Sequence, residues 1–235
     1  MGEFFSMDGS VFRFLSKVAD LMVLNLLFLV CCIPIVTAGA SFTALAYVTL
    51  KMKDQEEGYV WKSFLRSFRQ NFRQSTAIWL LLLALAALLW ADFRISSVME
   101  GTGGQAVRIL AGAGGLVWFM VFLYVFPLQA RFYNTIGGTL RNALLLALGN
   151  FPRTLAMMLV TGAAACITFF NGYTLWYGLL FWILLGFALL AWLNSHLLYG
   201  AFLKIMPSRK EGTEKETEGK NGENGINTGE TGVDK

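Results

Sequence analysis

A chain of 235 residues that is 56% hydrophobic and only 14% charged, with a mean hydropathy of +0.56, lies well outside soluble composition and points to a bilayer as its solvent. Three cysteines, with Cys31 and Cys32 adjacent, exclude a disulfide framework; a single histidine, His196, and no CxxC pair exclude a structural zinc site, so no metal or other cofactor is expected. The net charge of +4 is uneven: the tail 208–235 carries five basic against seven acidic residues, which leaves the rest of the chain at +6.

The first element is the uncharged stretch between Asp20 and Lys51, interrupted at Pro34. It has three readings. Residues 18–36 cross a membrane once and the helix runs on past a kink, for five spans in all; or the chain turns at "PIVTAG" and returns over 41–51, for six; or 21–33 is the apolar core of a leader cut after Ala40, with Asp20 awkward at its start. The return leg holds about 14 apolar or weakly polar residues, short of the ~17 a spanning helix needs, so five spans is the expected number and six the alternative. Lipidation at Cys31 or Cys32 is not expected, because Val30 stands where a small residue is wanted.

A basic loop follows, with Lys51, Lys53, Lys62, Arg66, Arg69 and Arg73. Within it Val60, Trp61, Phe64, Leu65, Phe68 and Phe72 recur at helical spacing while the cations take other positions, which predicts a cytoplasmic amphipathic helix on the membrane surface. Trp61, Lys62, Arg66, Arg69 and Arg73 are its candidate surface for anionic headgroups or a partner.

Four further apolar segments, 75–93, 109–128, 154–170 and 175–198, are long enough to span. The last two flank "NGYT" at 171–174, a turn signal that predicts a tight helical hairpin. Between spans, Arg94 and Arg108 alternate with Arg131, Arg141 and Arg153, then with an uncharged turn, then with Lys204, Arg209 and Lys210. Cytoplasmic loops carry the Lys and Arg excess, so the C-terminus is expected in the cytoplasm. The polar tail 208–235 cannot bury enough surface to order itself and is expected to be disordered, apart from a transmembrane domain at 1–207.

"FRQNFRQSTAIWLLLL" (68–83) and "ALGNFPRTLAMMLVTG" (147–162) share an Asn-Phe pair, a basic residue and then an apolar helix. Upstream, Pro34 and Pro127 each end an apolar span. These matches suggest a parallel internal repeat, supported by a second apolar stripe of Leu140, Ala143, Leu144, Ala147, Leu148 and Phe151.

Ionisable groups within the apolar segments are few: Asp20 and Asp92 lie near span ends and no two carboxylates pair, so an ion relay is not expected. Asn25, Thr37, Ser41, Thr43, Asn194 and Ser195 are expected to hydrogen-bond between helices, with Gly112, Gly114 and Gly115 allowing close approach. No nucleophile, base or phosphate-loop motif occurs, so no enzymatic activity is expected. The cations are accounted for by membrane orientation, without nucleic acid.

"NLLFLVCCIPIVTAGASFTALAYVTLK" (25–51) followed by "FLRSFRQNFRQSTAIWLL" (64–81) resembles the YesL-like family of bacterial multi-pass membrane proteins, domain of unknown function 624, through Asn25, Pro34, Thr37, Gly39, Ala44, Phe68, Asn71 and Phe72. The likeness runs over roughly residues 5–205 and is most specific in the first half. It implies a polytopic helical bundle in the bacterial cytoplasmic membrane and an accessory role in ATP-driven carbohydrate uptake, with sugar ABC transporter subunits or a sensor kinase as partners. The alternative is a small transporter whose cavity is lined by Asn25, Thr37 and Ser41 at the broken helix.

Overall fold

The computed structural model describes residues 10–53, 59–99, 101–132 and 134–203. The chain divides into two units, Met1–Leu198 and Tyr199–Lys235; the helical bundle is that of the first. The expected tail at 208–235, and the boundary before it, lie outside the described residues.

Every element among the described residues is helical: α1 (Ser10–Cys32), a 3-10 turn (Ile35–Thr37), α2 (Ala38–Lys53), α3 (Val60–Val98), α4 (Thr102–Arg131), α5 (Ile136–Gly149), α6 (Phe151–Phe169), α7 (Gly172–Phe181), a π-helical turn (Trp182–Gly186) and α8 (Phe187–Leu203). Among the described residues, six segments are long and apolar enough to cross a membrane: Phe14–Cys32, Ile35–Lys53, Val60–Val98, Thr102–Arg131, Phe151–Phe169 and Thr174–Phe202. The all-α bundle therefore has the six-helix form that was the alternative to five. The chain does turn at Pro34, and the return leg, discounted as too short over 41–51, reaches spanning length because the helical segment runs over Ile35–Lys53, 19 residues, starting at the turn itself. Its Ser41, Thr43 and Thr49 are buried against protein, so a hydropathy measured against lipid undervalues them.

Proline explains the break. Pro34 has no N–H to continue α1, and the turn is closed instead by the Thr37 hydroxyl, which lies 2.6 Å from the Cys31 carbonyl and 2.8 Å from that of Pro34. Returning α2 packs against α1 and α3 around Phe42. That ring lies 5.0 Å from Phe28, 5.9 Å from Trp79 and 5.4 Å from both Phe122 and Phe126, so one side chain joins the first four helices. Two indoles tie the same layer across helices: Trp79 Nε1 donates to the Ile35 carbonyl at 2.8 Å and Trp118 Nε1 to that of Leu82 at 2.9 Å. Trp79→Phe keeps an aromatic ring but loses the indole N–H and part of its volume, and is expected to lower stability by at least about 1 kcal/mol in detergent unfolding.

The predicted amphipathic helix exists, but not as a separate element lying in the interface. It is the first third of α3, which runs unbroken for 39 residues, about 58 Å at 1.5 Å per residue against a hydrocarbon core of ~30 Å. Its buried stripe also differs from the expected one. Val60, Phe64, Ser67, Asn71, Ser75, Ile78 and Leu82 face inward, whereas Trp61 and Phe72 are exposed. These buried positions advance by eleven residues from Val60 to Asn71 and again to Leu82, close to the natural pitch of a straight helix, so the stripe does not wander off the partner face.

The internal repeat is visible at this level. Val60, Phe64, Asn71, Ser75 and Ile78 of α3 correspond, at constant spacing, to Thr139, Ala143, Asn150, Thr154 and Met157 of α5 and α6, and all ten are buried. In each copy the hydroxyl four residues after the asparagine bonds a neighbouring helix: Ser75 Oγ lies 2.8 Å from Thr43 Oγ1, and Thr154 Oγ1 2.9 Å from the Tyr124 hydroxyl. The second copy is broken at Asn150 because Pro152 follows, where the first is continuous. Upstream the correspondence fails, since Pro34 separates two helices while Pro127 lies inside α4.

The hairpin at 171–174 forms as predicted. Asn171 caps α7, its Oδ1 accepting from Thr174 N–H at 2.9 Å while Thr174 Oγ1 accepts from Asn171 N–H at 3.0 Å.

Candidate functional site

The positions that carry the resemblance cluster at two places, the α1–α2 turn with its neighbours and the basic end of α3. Asn25, fully buried, reaches from α1 to the π-helical turn. Its Nδ2 donates to the carbonyls of Trp182 (2.9 Å) and Ile183 (2.7 Å), and its Oδ1 accepts from the Ala188 N–H at 2.9 Å. A π-turn spaces its hydrogen bonds five residues apart and leaves backbone groups unmatched where it meets the α ladder. One amide side chain satisfies three of them at once. The turn is further fitted to its place by Gly186, where a Cβ would lie 2.5 Å from Trp182 Cε3, and by Trp182 Nε1, which donates to Thr168 Oγ1 at 2.8 Å.

Gly39 is the closest helix approach in this region. A Cβ there would collide with the Ser75 carbonyl oxygen and Trp79 Cβ, so only glycine lets α2 lie on α3 and brings Thr43 to Ser75. Ala44 is fully buried against Leu24 and Phe28 of α1. By contrast Gly112 and Gly115 meet nothing within 4 Å, and of the α4 glycines predicted to allow close packing only Gly114 nears another helix, at Leu89.

At the basic end of α3, Asn71 is buried and donates to the Ser67 carbonyl at 3.1 Å, while Phe68 lies between Phe64, on which it stacks (6.3 Å), and Phe72, which it meets edge-on (5.5 Å). Trp61, Lys62, Arg66, Arg69 and Arg73 are all exposed. Lys62 Nζ sits over the rings of Tyr59 at 4.7 Å and Trp61 at 5.4 Å, holding an ammonium against aromatic faces at the helix start. Of the positions that carry the resemblance, Asn25, Gly39, Ala44 and Asn71 are packed inward while Pro34 and Phe72 are exposed, and the cations of α3 are turned outward.

A cavity of about 120 Å³ lies elsewhere, between α2, α4, α6 and α8. It is not at the broken helix, where the transporter alternative would place one. Asn25 and Thr37 are committed to backbone groups, and Ser41 Oγ donates to the Thr37 carbonyl at 3.2 Å. The walls are mainly apolar, with Phe42, Phe122, Phe126 and Pro127 prominent. Among the described residues no cluster of His, Cys, Asp or Glu could hold a metal ion.

Sequence reasoning missed the π-turn and its strap. The only signal was an asparagine placed mid-span among leucines, which says that a polar partner exists without saying where.

No curated protein and no solved structure matches the chain. Residues 21–93, from within α1 through α2 and most of α3, match the family model described as Protein of unknown function, DUF624, and over that stretch the chain carries this family's pattern.

Proposed function

We propose that this is a non-enzymatic multi-pass protein of the bacterial cytoplasmic membrane that acts as an accessory or regulatory component of ATP-driven carbohydrate uptake. The observation that carries the reading is a division of labour. The polar groups around the α1–α2 turn are consumed in holding helices together, while Lys62, Arg66, Arg69 and Arg73 stand exposed on a stretch of α3 that a ~30 Å hydrocarbon core cannot contain. With six crossings and basic connections on the inner side, both termini lie in the cytoplasm and this stretch projects there too. A sugar ABC transporter subunit or a sensor kinase is its partner.

Transport by the chain alone has less to support it. A sugar offers many hydroxyls and needs several converging polar groups, whereas the walls of the cavity are mainly apolar, with Thr49, Thr161, Asn194 and Ser195 as the polar side chains among them.

Pull-down in mild detergent from cells grown on plant polysaccharide is expected to recover permease or ATPase subunits. Arg66→Glu with Arg69→Glu, two exposed changes that leave the buried stripe intact, is expected to reduce recovery at least tenfold without lowering expression. Failure to recover any such subunit, combined with sugar flux in proteoliposomes holding this protein alone, would reverse the reading.

A further inference from the structure

We infer that α1 and α2 form a re-entrant hairpin: both enter from the cytoplasmic side, and their turn is bedded in lipid acyl chains within the bilayer instead of emerging on the outer surface. Helix length alone gives six crossings; depth reduces them to four, α3, α4, α6 and Thr174–Phe202. Two crossings are lost together, so both termini keep their side and the accessory role above does not depend on the change.

Helix α3 sets the depth scale. Between Arg73 and Asp92 it carries no charge over eighteen residues, which rise about 27 Å and match a hydrocarbon core of ~30 Å. Sliding the core toward the start of α3 would bring the exposed cations Lys62, Arg66 and Arg69 into lipid and push the exposed Leu85, Leu88 and Trp90 into water. On this scale α2 stops early. Thr43 lies beside Ser75 at 2.8 Å, a Cβ on Gly39 would collide with Ser75 and Trp79, and the Ile35 carbonyl accepts from Trp79 Nε1 at 2.8 Å. Trp79 is six residues from Arg73, about 9 Å into the core, and α3 continues to Val98 beyond it. Past Leu82 only Ser96 of α3 is buried. There α3 pairs with α4, through Trp118 on the Leu82 carbonyl, Gly114 beside Leu89 and Arg108 on the Ser96 carbonyl. On the cytoplasmic side of Thr43, α2 needs no lipid, because Ala44, Leu45, Val48 and Leu50 are buried against protein.

The turn itself suits acyl chains. Ile33, Ile35 and Val36 are 78%, 70% and 51% exposed, with no charged residue from Leu21 to Leu50; at the outer surface these three side chains would stand in water. Non-helical backbone at membrane depth must have its polar groups satisfied by protein, and here they are. The Val30 carbonyl accepts from Ile33 N–H at 3.3 Å, that of Pro34 from Thr37 N–H at 2.9 Å, and that of Cys31 from the Thr37 hydroxyl. The Ile35 carbonyl takes both the Trp79 indole and the Ala38 N–H.

The test uses the full chain with Cys31, Cys32 and Cys166 changed to alanine and single cysteines returned by Val36→Cys, Ile33→Cys, Gly103→Cys or Lys62→Cys. Right-side-out and inside-out membrane vesicles are treated with a membrane-impermeant maleimide, and reaction in SDS gives the total thiol. Gly103→Cys is expected to react from outside and Lys62→Cys from inside, while Val36→Cys and Ile33→Cys react at least tenfold more slowly than the faster control from either side. A nitroxide at Val36→Cys in nanodiscs is expected to collide readily with oxygen and at least fivefold less with a nickel chelate than one at Gly103→Cys. Labelling of either turn cysteine from outside at the Gly103→Cys rate would overturn the inference by showing a full crossing. Fast labelling from inside would overturn it by showing a water-filled approach, and Gly103→Cys reacting from inside would overturn entry from the cytoplasm. The turn substitutions replace exposed side chains, and agreement between the two guards against one misfolded variant.

Discussion

Replacing Asn25 by leucine is expected to lower stability by about 2–4 kcal/mol, measured by unfolding in mixed micelles, since one buried and two partly buried backbone groups lose their partner at about 1–3 kcal/mol for a fully buried group and less for the others. The groups are the carbonyls of Trp182 and Ile183 and the N–H of Ala188. Aspartate is no remedy: it keeps an acceptor for Ala188 but turns lone pairs toward two carbonyls that need donors. A sharper outcome follows from the geometry of the turn. A π-turn holds one residue more than an α-turn, so deleting Leu184 in the Asn25→Leu background is expected to let the segment close as an α-helix and to recover part of the loss. In the unaltered protein the same deletion is expected to be destabilising, because it strands the Asn25 amide. If the deletion hurts both backgrounds equally, Asn25 does not hold the turn.

Gly39→Ala is expected to cost about 3 kcal/mol, the upper end for adding a methyl group to a packed interface. A Cβ at this position meets a backbone oxygen of Ser75 and the Cβ of Trp79, neither of which can swing away. Helices α2 and α3 must separate, which also strains the 2.8 Å Thr43–Ser75 pair and the 2.8 Å Trp79–Ile35 bond. Trimming Trp79 to alanine leaves the colliding Cβ in place, so it is not expected to rescue. Gly112→Ala, which meets only open space, is expected to be neutral or to gain up to about 1 kcal/mol from helix propensity. The two substitutions compared by thermal unfolding separate a steric requirement from a general dislike of replacing glycine in these helices.

Class and segment positions were legible from composition and spacing, because apolar runs of lipid length have few other solutions. The 171–174 hairpin was legible too, since an Asn-Gly-x-Thr cap announces itself locally. The crossing number was not. Whether α2 reaches across depends on Ser41, Thr43 and Thr49 finding protein rather than lipid, which is a property of the neighbours. Nor was the inward face of the basic helix legible from aromatic spacing: Phe64 points in, but the stripe is completed by Ser67, Asn71 and Ser75, residues that hydropathy assigns to the outside. The Asn25 strap joins residues more than 150 positions apart, and no local pattern in one chain encodes such a pairing. The candidate contact surface was legible as exposed cations, because charge at a lipid boundary has nowhere else to go.

The unbroken length of α3 has a mechanical consequence. A rod with no flexible joint between Val60 and Val98 cannot absorb a push at one end by bending locally. Tilting it by about 10° displaces one tip relative to the other by about 10 Å, given 1.5 Å of rise per residue. A displacement of one end is therefore coupled to the other through one continuous helix, with the close approach of Gly39 to Ser75 lying between them.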